Sequence, residues 1–186
     1  MFKRTLLSLS MAAVILFAAQ HEADAGKNII IKQKVIEVER IIFDTAIRYG
    51  IDPKAFHRMA WIESRLNPNA FHPKSKACGL FQFIPSTARH YGLVDCFDPR
   101  LNAEAAAQLW LDNVKGLTRR LGRAPSAGEL YLAHQQGIGG AAALLANPNK
   151  QAISILGRKP VVMNGGLRDM TAAQFADLWI SKFKDL

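Results

Sequence analysis

One carboxylate stands out by its position. In the segment from Pro53 to Leu66, Phe56, Met59, Ala60 and Glu63 fall at i, i+3, i+4 and i+7, the spacing of a single helix stripe. Three of the four are apolar and suit a core. Glu63 continues the stripe, so a carboxyl points where an apolar side chain belongs. Burial disfavours the charged form of a carboxyl, and a protonated carboxyl is what a general acid needs. Periodicity by itself equally allows a partly exposed glutamate at the end of the stripe, or one paired with an arginine.

The elements that must position this residue read mostly as helices. Gln33 to Tyr49 carries Val35, Val38, Ile41, Ile42 and Ala46 at helical spacing, with Gly50 as the stop. Asp52-Pro53 opens the next helix, with Asp as N-cap and Pro in the first turn. Asn67-Pro68 halts it near Leu66, and residues 67–80 read as a loop. A short helix is expected after Pro85, and a long one from Asn102 to Leu121. Ser126 and Glu129 have capping-box spacing and open a helix that Gly137, Gly139 and Gly140 break or cross closely. Ala141–Ala146 is a further helical piece. Residues 157–170 are looser, with a turn at Asn164-Gly165-Gly166. Thr171 and Gln174 form a second capping-box pattern before a last helix to Phe183, whose Phe175, Leu178, Trp179 and Phe183 make an apolar stripe. No segment alternates over strand length. The fold class is mainly α, one domain, with room for a short irregular or β-like excursion. Trp61 and Trp110 read as core, Phe81 and Phe83 as core and cleft wall. Lys74, Lys76, Arg119, Arg120 and Arg123 read as solvated charges.

The composition sets the compartment. The chain has 186 residues, 49% hydrophobic and 21% charged, which fits a packed domain and excludes global disorder. The net charge of +9 points to an anionic polymer or surface. Residues 1–25 have the pattern of a signal peptide: Lys3-Arg4, an apolar run from Leu6 to Ala19, then Ala23-Asp24-Ala25 as the expected cleavage site. An uncleaved anchor is the alternative, although the run is short for a span. Cleavage removes Lys3, Arg4, Glu22 and Asp24 and leaves the charge unchanged. An exported protein is not expected to meet nucleic acid. Export also permits disulfides, so Cys78 and Cys96 are expected to pair, a closure stabilising by ~3 kcal/mol in the chain-entropy model. Two thiolates so spaced match no usual zinc set, and no metal is expected.

Three ordered motifs carry a resemblance. Trp61-Ile62-Glu63-Ser64-Arg65-Leu66-Asn67-Pro68 is followed by Gly79-Leu80-Phe81-Gln82-Phe83-Ile84-Pro85-Ser86-Thr87-Ala88, then by Ala133-His134-Gln135-Gln136-Gly137-Ile138-Gly139-Gly140. Together they resemble the lytic transglycosylase family with a lysozyme-like catalytic domain, of the soluble lytic transglycosylase type. The resemblance spans roughly residues 36–145. By position, Glu63 matches the family's catalytic acid/base, and Ser64 the serine that orients the acid or contacts substrate. Gln82 matches the glutamine lining the sugar cleft, and Gly79 the glycine beside it. Ala133 and Gly137 match the ends of the third motif. Its middle departs, with His134 for Tyr, Gln135 for Asn and Gln136 for Ala, a form similar to a phage-like and secretion-associated branch. His134 and Gln135 are carried over as substrate contacts. Each keeps a plainer alternative: Ser64 bonding backbone near a helix end, Gln82 a structural residue, His134 a satisfied interior histidine. His90 and Tyr91 are candidates for the cleft edge.

The resemblance implies a substrate, the peptidoglycan glycan strand, and no metal or organic cofactor. Most glycosidases need two carboxylates. Asp95 and Asp98 are the nearest candidates for a second, but Asp98 equally suits a helix start, and Glu104, Asp112 and Glu129 read as surface or capping residues. The implied reaction therefore uses Glu63 alone on the β-1,4 bond between N-acetylmuramic acid and N-acetylglucosamine, closing a 1,6-anhydro ring. The alternatives are a muramidase using the same Glu63 with water, and a non-catalytic wall-binding accessory of an envelope-spanning machine. The expected setting is the bacterial periplasm or outside the cell, with a secretion or flagellar assembly as candidate partner and no membrane span after signal cleavage. The expected layout is signal peptide 1–25, catalytic domain 26–150 and a C-terminal extension 151–186 packed on it.

Overall fold

A computed structural model describes residues 4–184, with side chains for 26–181 and Phe183. The side chains of the expected signal peptide lie outside the described residues. The chain forms two compact units, residues 1–40 and 41–186. The first helix, α1 (Arg4–Tyr49), starts well before Gln33. No proline lies between Arg4 and Tyr49 and only Gly26 could interrupt it, so nothing local ends the helix earlier. In the first unit Ile29, Ile30, Ile31 and Val35 are exposed, so Val35 does not join the expected core stripe. No helix among the described residues is long and apolar enough to cross a membrane.

In the second unit the end of α1 buries Ile41, Ile42 and Ala46, and Gly50 stops it with φ +66°. Helix α2 (Pro53–Ser64) follows, its Lys54 N–H donating to the Asp52 side chain at 3.2 Å. A two-stranded antiparallel hairpin interrupts the helices, β1 (Phe71–His72) with β2 (Ala77–Cys78). It falls in the segment read as a loop: two residue pairs are too few to show alternation. Then come α3 (Pro85–His90), α4 (Pro99–Leu121), α5 (Ala127–Ala146), α6 (Ala152–Leu156), α7 (Arg158–Met163) and α8 (Ala172–Lys184). The architecture is mainly helical and consistent with a lysozyme-like domain.

Local chemistry explains most boundaries. Asp98 caps α4 by accepting from the N–H groups of Arg100 and Leu101, the helix-start role open to it from sequence. Ser126 and Glu129 close a reciprocal capping box on α5, and Thr171 and Gln174 do the same before α8. Glu129 is mostly buried and also takes two bonds from Arg123, at 2.6 and 2.9 Å. Arg123 is thus a paired cation, not only a solvated one. The short helices α6 and α7 were not legible, because five and six residues give no periodicity.

Two apolar expectations change. Trp61 is 38% exposed, with the Arg65 guanidinium 5.1 Å from its ring centre. It follows Ala60 by one residue, so helix geometry turns it about 100° off the buried stripe. Leu178 is also exposed, at the margin of a stripe whose Phe175 and Phe183 are buried. Trp110 and Phe81 are core as expected. Helix α5 lies at the centre of the second unit, packed against α4, α6 and α8.

Candidate active site

Glu63 sits on the last turn of α2. Phe56, Met59 and Ala60 anchor the stripe with 0–1% exposure, and the Glu63 side chain retains 12%. Arg65 and Leu66 then adopt left-handed φ values of +54° and +61°, which end the helix directly after this carboxylate. The Ser64 hydroxyl donates back to the Ala60 carbonyl at 3.1 Å and does not line the cleft.

The second wall is the turn after β2. Cys78 and Cys96 form a disulfide. Gly79 has φ +79°, and a Cβ there would lie 2.0 Å from the Cys96 carbonyl oxygen and 2.2 Å from Asn102 Nδ2. Only glycine fits this approach. Asn102, fully buried on α4, accepts from the Phe81 N–H at 2.9 Å and donates to the Cys96 carbonyl at 2.9 Å. The turn is therefore stapled to α4 from behind, and Gly79 lies in that support, not in the cleft lining. Gln82 itself has φ +48° and donates to the carbonyls of Gly79 (2.9 Å) and Ala70 (3.2 Å). A strained, doubly held glutamine at a cleft edge is a preformed feature.

The third wall is α5. Gly137, the end of the motif that carries Ala133, His134 and Gln135, breaks it with φ +72° and ψ +159°. Gln135 Nε2 donates to Glu63 Oε1 at 2.7 Å and to the Tyr131 hydroxyl at 3.2 Å. His134 Nε2 stands 3.6 Å from the same Oε1. Burial, then the charge of Glu63 and a hydrogen bond to it, holds the Tyr131 phenol far above its usual range. Tyr131 is a neutral donor at any physiological pH.

These walls enclose a cleft of about 920 Å³ containing Glu63, Gln82, His134 and Gln135. His90 and Tyr91 line it too. Burial and a bond to Asp112 at 3.0 Å push the Tyr91 phenol up to about 12. Glu63 is the one carboxylate among the described lining residues. Asp95 accepts from the Phe97 N–H and Glu104 pairs with Arg48, so neither faces Glu63 across the cleft. Sequence reasoning missed Tyr131, although its position four residues before Gln135 on one helix was a usable signal. It also missed Met163 and Asn164, which line the cleft from the end of α7.

A family model described as the transglycosylase SLT domain matches residues 40–154, and the chain belongs to that family. A search of the curated proteins finds no match. The matched segment runs from the end of α1 to within α6 and contains all three motif regions. Membership supports activity of the peptidoglycan lytic transglycosylase type and a cell-wall-acting protein.

Proposed function

We propose that this protein cleaves the β-1,4 bond between N-acetylmuramic acid and N-acetylglucosamine in peptidoglycan, with Glu63 as the single acid/base. The observation that carries this reading is Glu63, the one carboxylate among the described cleft residues, held at 2.7 Å by Gln135. Glu63 gives its proton to the bridging oxygen as the glycosidic bond breaks. The substrate's own N-acetyl oxygen attacks the anomeric carbon and carries the positive charge that a second carboxylate would otherwise stabilise. Glu63, now a carboxylate, takes the proton from the muramic 6-hydroxyl. That oxygen displaces the acetamido oxygen, closes a 1,6-anhydro ring and restores the protonated acid. No water is consumed.

Gln82, His134 and Gln135 supply amide and imidazole groups to sugar hydroxyls and acetamides. Residues 26–150 form the catalytic domain in this reading, and 151–186 an extension that contributes cleft wall. The disulfide fits an oxidising compartment, and with residues 1–25 as signal peptide the protein works in the periplasm or outside the cell, at the wall crossed by a secretion or flagellar assembly.

Mass spectrometry of peptidoglycan digested by the purified protein tests this, with Glu63→Gln alongside. Anhydro-muramyl ends from the wild type and none from the variant are expected. Ordinary reducing ends would make the enzyme a muramidase. Undiminished lysis by Glu63→Gln would remove Glu63 from the chemistry.

A further inference from the structure

We propose that Tyr131, held by the C-terminal helix α8, is a positioning residue for the Glu63 carboxylate. The inference rests on the catalytic reading of Glu63 and adds a supporting element outside the family domain. Tyr131 is 1% exposed in the second turn of α5. Its hydroxyl accepts from Gln135 Nε2 at 3.2 Å, and that nitrogen donates to Glu63 Oε1 at 2.7 Å. The phenol thus holds the amide that holds the carboxylate, the two side chains lying four residues apart on a single helix.

The ring is fixed from several sides. Phe183 stacks on it at 5.3 Å and Trp179 meets it edge-on at 6.0 Å, both from α8. His134 lies nearly parallel at 6.1 Å. Helix α8 begins at Ala172, beyond the matched segment that ends at residue 154. The domain's C-terminal extension therefore reaches the reacting carboxylate through one aromatic ring. A buried acceptor whose position is set by packing limits the rotation of the Gln135 amide and, through it, of the carboxylate, and small misplacements of a reacting group cost large factors in rate.

The test is Tyr131→Phe, which removes one oxygen and keeps the ring contacts, measured on soluble glycan strands with Glu63→Gln as reference. The expected result is a kcat lowered roughly 10- to 100-fold with KM and melting temperature unchanged. In the Tyr131→Phe background, Gln135→Ala should cost less than it does alone, because the hydroxyl acts on the carboxylate through that amide. Wild-type kcat in Tyr131→Phe with Glu63→Gln inactive would overturn the positioning role alone. An active Glu63→Gln would instead overturn the catalytic reading on which it rests. A Tyr131→Phe variant whose KM rises while kcat holds would make the hydroxyl a substrate contact and also overturn the proposal.

Discussion

Gln135 and Glu63 are 72 residues apart in sequence and 2.7 Å apart in space. The amide comes from the middle of α5 and the carboxylate from the last turn of α2. This contact joins the first and third sequence motifs into one site, and it sets what a change at either residue should do.

Gln135→Glu should be the most damaging single exchange at this contact. It replaces a donor with a carboxylate at hydrogen-bond distance from Glu63, and two carboxylates so close resist ionising together. Gln135→Ala only removes the donor and should leave more activity. Release of soluble fragments from purified peptidoglycan, at equal melting temperature, would rank them. Equal activity of both variants with wild type would deny the contact any role.

Gly79→Ala should destabilise the protein by about 3 kcal/mol or more, since the residue needs a positive φ and its new Cβ would collide with a backbone carbonyl. Urea denaturation measures this. Gln82 bonds the Gly79 carbonyl, so activity should fall further than the folded fraction does.

Reducing the Cys78–Cys96 bond should lower stability by ~3 kcal/mol on the chain-entropy account. Cys78 also exchanges backbone hydrogen bonds with Phe83, at 3.0 and 3.1 Å, across the Gln82 turn. Melting with and without reductant should therefore show a lower midpoint and lower activity together. Coincident curves would show that the bridge adds nothing.

Glu129 supplies a pH signature away from the cleft. Its bond to Arg123, ahead of its backbone bond at Ser126, holds the carboxyl below its ordinary value of 4.5. A lowered folded value means that the folded state favours the charged form. The stabilisation is therefore fully present above 4.5 and is lost as pH falls through the lower folded value. Glu129→Gln, which keeps the capping-box shape, should melt below wild type at pH 7, and the gap should close in acid. A gap constant with pH would assign the loss to packing.

Met163→Ala should weaken glycan binding. This side chain is 74% exposed yet lines the cleft, so its loss should not unfold the protein. KM should rise roughly 3- to 10-fold, the loss of about 1 kcal/mol of apolar contact, with kcat little changed. An unchanged KM would leave α7 outside the binding surface.

Features written within one or two helical turns are legible in the residues alone. Asp52 and Ser126 cap their helices as their types and spacing predict, Asp98 takes the helix-start role that was one of its alternatives, Gly137 breaks α5, and the stripe of Phe56, Met59 and Ala60 is buried. Hydrogen bonds and periodicity at i, i+3 and i+4 are local, so they are legible without a fold. Motif order brought Glu63, Gln82, His134 and Gln135 together as candidates for one cleft. Tertiary structure alone decided which groups meet. It put the Gln135 amide on Glu63 and the Tyr131 hydroxyl on that amide, turned Trp61 outward, left Ser64 and Gly79 out of the cleft lining, and brought Met163 and Asn164 into its wall. Those outcomes depend on how α2, α5, α7 and α8 approach one another, and a side chain's partner across such an interface is fixed by packing directions that no local spacing encodes.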